Sequence, residues 1–205
     1  MHQDKVCVAG MHRGNSIRLH NPQPRERWLQ SIDGLAPGDI VSLKWRAVRR
    51  YRPPHREDGD WNPALLEKTG RLSEQQLLKR LTDDAFSCVE KAFGQPCFYS
   101  ARGNAAFPSG SGSRSLASLL VTSIEVYAFA EGLRADFTDS KQKWKMAPVE
   151  DFAIRSGQRS AKLETGPAIL RVGLGRAFQA AGRPPACYLQ VNHIFPLPPS
   201  GQMTT

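Results

Sequence analysis

Between Pro37 and Trp61 the chain has little freedom in what it can become. The turn signal Pro37-Gly38-Asp39 is followed by alternation, with Val41, Leu43, Trp45 and Ala47 on one side and Ser42, Lys44, Arg46 and Val48 on the other. A period of two over this length predicts a strand from Ile40 with one buried face. The outward face then thickens into Arg49, Arg50, Arg52 and Arg56, with Tyr51 and His55 among them. Cations interleaved with aromatics on a strand edge suit phosphates and stacked bases. A solvated, arginine-rich strand face is the other reading of the same residues.

Several shorter runs repeat the theme. Lys5 to Ala9 reads as a short apolar strand, a turn through Gly14-Asn15 follows, and Ser16 to His20 reads as a second strand. Pro22 and Pro24 keep the next segment irregular by removing ladder donors, and Trp28 to Ile32 brings the chain back. Short strands with Pro/Gly punctuation predict a small barrel or sandwich. Asn62-Pro63 opens a turn or two that Gly70 stops. Ser73 with Gln76 forms a capping box for a helix over Glu74 to Phe93, with Leu77, Leu78, Leu81, Ala85, Phe86, Val89 and Phe93 on its apolar face. Gly94 is its expected C-terminal cap.

Ser100 to Ser115 is rich in Ser and Gly and reads as a linker or surface loop. Its SGSGS run lacks the GK[ST] ending of a P-loop. Strands are expected again over Leu116 to Phe129, Leu133 to Thr138, Trp144 to Ala147, Pro167 to Phe178 and Pro185 to Phe195. The expected organisation is therefore a first barrel with a helical insert over 1–99, a linker over 100–115, a second barrel over 116–196 and a flexible tail over 197–205.

Of the 205 residues, Lys and Arg outnumber Asp and Glu by 28 to 19, a formal net charge of +9. Such an excess implies a polyanionic partner and is silent on fold. No apolar run approaches the roughly 20 residues that span a bilayer, so a soluble, cytoplasmic protein without a membrane partner is expected. Cys7, Cys88, Cys97 and Cys187 are scattered, without the close ligand pairs of a zinc site. No metal or cofactor is expected, and Cys7, Cys88 and Cys187 read as small core residues.

A resemblance then becomes usable. The opening KVCVAGMHRGNSIRLHNP, the LAPGDIVSLKW segment and PPHREDGDW resemble the first barrel of the dual-OB domain family of prokaryotic conflict and defence systems. LRADFTDSKQKWKMAPVED, LRVGLGRAF and CYLQVNHIFPL resemble its second barrel, so the likeness spans most of the chain in order. It implies a mainly β protein of two OB-like barrels with one long helix and a short helix between or against them. It also implies non-catalytic nucleic-acid binding as an accessory or sensor component, beside a neighbouring effector enzyme.

OB barrels bind single strands across an open face, with cations on the backbone and aromatics under the bases. The candidates here are Arg13, Arg18, Arg25, Arg27, Lys44, Arg46, Arg49, Arg50, Tyr51, Arg52, His55 and Trp61, then Arg171, Arg176 and Tyr188. Trp28, Trp45 and Trp144 read at least as well as core residues, and Lys141 and Lys143 as solvated turn lysines. Two other functions stay open. One is a protein-interaction module for a partner enzyme. The other is a metal-dependent nuclease built on His55, Glu57, Asp58 and Asp60, against which Asp-Gly-Asp reads as a solvated loop.

Overall fold

The computed structural model describes residues 7–24, 35–48, 53–130, 132–155, 157, 166–179 and 182–198. Strands dominate: the protein is mainly β, with strongly curled sheets and few helices. Arg25, Arg27, Arg49, Arg50, Tyr51, Arg52 and the run Trp28 to Ile32 lie outside the described residues.

The first strands are β1 (Val8–His12) and β2 (Asn15–Asn21). They form a hairpin in which His12 faces Asn15. Its two-residue turn is Arg13-Gly14, both at positive φ, one residue earlier than the Gly14-Asn15 signal suggests. That left-handed pair matches the twist of the strands it joins. The long run predicted from Ile40 is two strands, β3 (Asp39–Ser42) and β4 (Trp45–Ala47). They separate because they take different partners. β5 (Asp58–Trp61) pairs with β4, and β6 (Glu67–Arg71) pairs with β3. Gly70, expected to stop a helical turn, lies inside β6; the helical turn is a 3-10 segment, Pro63–Leu65, capped by the Asn62 side chain. Parallel pairing of β2 with β5 completes a four-stranded sheet in the order β1-β2-β5-β4.

The capping box at Ser73 and Gln76 forms as expected and starts helix α1 (Glu74–Asp83). The single helix predicted through Phe93 does not. Strand β7 (Ala85–Phe86) interrupts it, and α2 (Val89–Phe93) follows, closed by Gly94 in the left-handed region. The apolar spacing over Leu77 to Phe93 persists across the break because β7 pairs in parallel with the next sheet, at Ser118 and Leu119.

That sheet uses β8 (Phe98–Tyr99), β9 (Ala105–Pro108), β10 (Leu116–Val121), β14 (Ala168–Leu174) and β15 (Ala186–Pro196) as well as β7, in the order β7-β10-β14-β15-β9-β8. A second sheet is the meander β11 (Ser123–Phe129), β12 (Gly132–Thr138) and β13 (Lys143–Pro148). After a short helix α3 (Phe152–Arg155) come β14 (Ala168–Leu174) and β15 (Ala186–Pro196). Three expected strands thus appear close to their expected bounds, while Leu116 to Phe129 divides at Thr122 between two sheets.

The linker expectation needs correction. Ala105, Ala106 and Phe107 are completely buried, and β9 lies between β8 and β15. Small side chains, which suggest flexibility in a sequence, here allow close packing. The sheet also recruits residues 85–99, so the strands on either side of the supposed linker share one sheet. One apolar cluster fills this half, including Phe93, Phe107, Leu119, Phe137, Trp144, Leu170, Leu189 and Ile194. Cys88 and Cys187 are buried as expected, whereas Cys7 is exposed. Among the described residues no helix is long and apolar enough to cross a membrane.

Candidate nucleic-acid interface

Strand β4 is an edge of the first sheet, and the alternation read from the sequence holds as far as Arg46, beyond which Ala47, expected on the buried side, is exposed and Val48, expected outward, is half-buried. Lys44 and Arg46 are exposed while Leu43 and Trp45 are half-buried. Trp45 stands opposite Trp61 in the ladder, Arg46 opposite Asp60 and Ala47 opposite Gly59. Glycine is required at 59 because a Cβ there would lie 1.9 Å from Trp45 Nε1. The Trp45 indole therefore lies flush on the β5 backbone. Lys44, Trp45, Arg46, Asp60 and Trp61 line an open cleft of about 220 Å³. Arg46 is 74% exposed and reaches Asp60 Oδ2 only at 3.4 Å. Asp60 Oδ1 accepts an equally loose bond, 3.3 Å, from Asn21. Trp61 forms the wall of this cleft. It is 6% exposed and its Nε1 donates to the Pro22 carbonyl at 2.6 Å, so its ring is held in the core rather than offered as a free stacking platform.

Two residues back along β5 from Asp60, charge is used in the opposite way. Asp58 is buried between two guanidinium groups: Arg18 Nε donates to Oδ1 at 2.6 Å and Arg176 donates to Oδ2 at 2.5 Å. Burial works to raise the Asp58 carboxyl, and the Arg18 and Arg176 cations outweigh it, so its pKa is lowered. The Arg18 guanidinium also meets His55 Nδ1 at 2.9 Å. Burial, followed by the positive fields of Arg18 and Arg176, holds the His55 imidazole down to about 4. It is neutral at pH 7, with Nδ1 as acceptor. Glu57 points the other way. Its carboxylate accepts from the Ser115 amide at 2.6 Å, the Ser115 hydroxyl at 2.9 Å and the Leu116 amide at 3.2 Å.

The HREDGDW segment is therefore not the solvated loop expected of its composition. His55, Glu57 and Asp58 are each under 8% exposed and clasp the first sheet onto β10 and the segment after β14. Arg18, His55 and Trp61, expected on a ligand face, are buried or nearly so and occupied within the chain. Arg171 is also turned inward, donating to Ser118 Oγ at 2.8 Å and Ser16 Oγ at 3.4 Å. Arg176 is half-exposed beyond its bond to Asp58 and lies 3.2 Å from His20 Nδ1. Arg13 is exposed at the tip of the first hairpin. Tyr188 is half-buried with its ring centroid 6.4 Å from that of Phe178, which is 63% exposed.

The candidates thus divide. Lys44 and Arg46 meet at the cleft, Arg18, His55 and Arg176 meet at the clasp, and Arg13, Arg171 and Tyr188 join neither group. Sequence reasoning missed Asp60 as a cleft residue and Ser115 as a partner of Glu57. Strict strand pairing with Trp45 and Arg46 is the signal that could have placed Asp60. Ser115, distant in the chain and inside an apparent linker, had none.

Other buried acids are structural. Asp139 Oδ2 accepts from the Val89 amide and Trp144 Nε1, both at 2.9 Å, and its Oδ1 accepts from the amides of Lys141 and Gln142. Lys141 forms an ion pair with Glu90. Among the described residues no three His, Cys, Asp or Glu side chains converge as a metal site would require. No family model matches the chain, and neither a curated protein nor a solved structure matches it significantly.

Proposed function

We propose that this protein binds single-stranded nucleic acid without acting on it, as an accessory or sensor component of a prokaryotic defence or nucleic-acid-modification system. The observation that carries the reading is the cleft on edge strand β4. It presents two exposed cations, Lys44 and Arg46, on one face of the strand, opposite the face that carries the Trp45 indole, and the sequence continues into Arg49, Arg50, Tyr51 and Arg52. Cations would serve the phosphates and Tyr51 a base, the division of labour common to single-strand binders. The net charge of +9 supports the same partner class, and the dual-OB resemblance supplies the system. Against the nuclease alternative, the Glu57 and Asp58 carboxylates are already filled by amides, a hydroxyl and guanidinium groups.

Binding isotherms for a labelled single strand at several salt concentrations test the proposal. Each phosphate contact contributes about 0.7 to the slope of log affinity against log salt on a single strand. Lys44→Ala with Arg46→Ala is expected to weaken binding and flatten that slope by about one unit or more. An unchanged isotherm in the folded double variant would leave the partner-protein reading in its place.

A further inference from the structure

We infer that the outer face of the six-stranded sheet carries a second nucleic-acid contact, an aromatic strip of Phe98, Tyr188 and Phe178 on which bases stack; this rests on the nucleic-acid reading above. Strand register places the three rings together. Tyr188 pairs with Ala106 and Ala106 with Phe98, so their side chains project from one face of β15, β9 and β8. Phe178 pairs with Ala186, two residues before Tyr188, and joins that face. Its ring centroid lies 6.4 Å from that of Tyr188. Cys187, Ala105 and Phe107 alternate with these positions and point into the apolar cluster, so the strip is the side turned away from it. Ala106 and Ala186 hold the positions between the rings, and their methyl groups are too short to cover them.

Phe178 is the most exposed large apolar side chain among the described residues, and Phe98 is also exposed. The Phe178 backbone is fixed: its N–H donates to the Ala186 carbonyl at 2.9 Å, and the Ala186 N–H donates back to its carbonyl at 3.0 Å. A lone exposed ring needs no explanation. Three rings in register on an open sheet face form a platform of the kind on which single-strand binders stack bases, since every base has a π-face.

Charge selects a polyanion over an apolar partner. The sequence has no Asp or Glu from Lys91 to Ile124 or from Thr165 to Thr205, the segments that supply β8, β9, β10, β14 and β15. Arg183 is exposed in the turn between Phe178 and Ala186, and Arg176, two residues before Phe178, is half-exposed. Asp58 of the first sheet meets Arg176 but is shared with Arg18, so the three together remain net positive. Phosphates running beside the rings therefore meet cations, as a single strand requires.

The experiment uses the full chain and fluorescence anisotropy with two labelled strands of equal length, oligothymidylate and an abasic sugar-phosphate strand. Phe178→Ala is expected to weaken oligothymidylate binding about five- to 150-fold, the range for one stacked base, and to leave abasic binding unchanged. Phe178→Leu keeps apolar area without a π-face and should lose as much, whereas Phe178→Trp should bind as well as the wild type or better. Arg183→Ala should weaken both strands and flatten the salt slope by about 0.7. Circular dichroism checks that each variant is folded. Unchanged oligothymidylate binding in Phe178→Ala overturns the strip and leaves the nucleic-acid reading standing, because the wild type still binds. Equal weakening of both strands by Phe178→Ala, or wild-type binding by Phe178→Leu, also overturns it. Failure of the wild type to bind oligothymidylate overturns both.

Discussion

From Val89 onward most of the buried apolar side chains make one cluster, Phe93, Phe107, Phe137 and Trp144 among them. Before Leu81 the buried apolar side chains among the described residues are Leu19, Trp61 and two prolines, Pro24 and Pro54. The first sheet is instead fastened by Arg18, His55, Glu57, Asp58, Ser115 and Arg176. The two regions therefore resist disruption differently. Apolar burial is non-directional and roughly proportional to area, so its loss is graded. A buried polar network depends on every partner, because removal of one leaves another charge without compensation. The first region should be the one that responds to pH.

The largest expected effect tests the apolar side of the contrast. Phe137→Ala removes a fully buried ring from the cluster and should cost about 3–5 kcal/mol, lowering the unfolding midpoint of the whole protein in denaturant. If the midpoint moved little, the second region would not be the main source of stability.

Asp58→Ala is next. It leaves the Arg18 guanidinium, whose side chain is 11% exposed, buried without its counter-charge. Breaking such a pair costs about 3–5 kcal/mol when fully buried, and less here because Arg176 is half-exposed. The loss should be local. Amide hydrogen exchange is expected to accelerate in β1, β2 and β5, with β10, β14 and β15 still protected. Uniform acceleration through both regions would mean that the two unfold as one unit.

The smallest effect sharpens the pH contrast. His55 has a folded pKa of about 4 against an ordinary 6.5. Above pH 6.5 the imidazole is neutral in both the folded and unfolded states and stability is full. As pH falls from 6.5 toward 4 the unfolded chain takes up the proton first, so stability declines, by about 3 kcal/mol at most. Asp58, whose folded pKa is also lowered, adds its own loss below its ordinary value near 4. Thermal unfolding followed from pH 7 to 4 should show a fall that is reduced in His55→Asn. Identical pH profiles for the two proteins would remove His55 from the clasp.

Much of the strand pattern was legible because it depends on nearest neighbours. The strand expected over Leu133 to Thr138 is found at Gly132–Thr138, and the capping box places the start of the helix at Glu74. Partner choice is not local. The uniform run from Ile40 to Val48 contains no sign that Asp39–Ser42 pairs with β6 while Trp45–Ala47 pairs with β5. The candidate site was legible to the same degree. Lys44 and Arg46 emerge from alternation, as they stay on the solvent side. Arg18 has the same chemistry and the same kind of strand position, but Asp58, brought beside it by the parallel pairing of β2 with β5, takes it inward. Acidic residues next to glycine suggest a loop only as long as no buried cation requires them.

The strand order of the six-stranded sheet has a consequence for synthesis of the chain. β9 and β14 both wait for β15, which is made after either of them. Until Ala186–Pro196 leaves the ribosome, Ala106 and Phe107 have no partner on that side, although both end up fully buried. Chains that expose apolar surface and open strand edges while incomplete are prone to aggregate. The first sheet, whose strands lie within residues 8–61, can pair earlier. Its fastening groups Ser115 and Arg176 still emerge later, so the nascent protein carries a formed hairpin with nothing yet to grip.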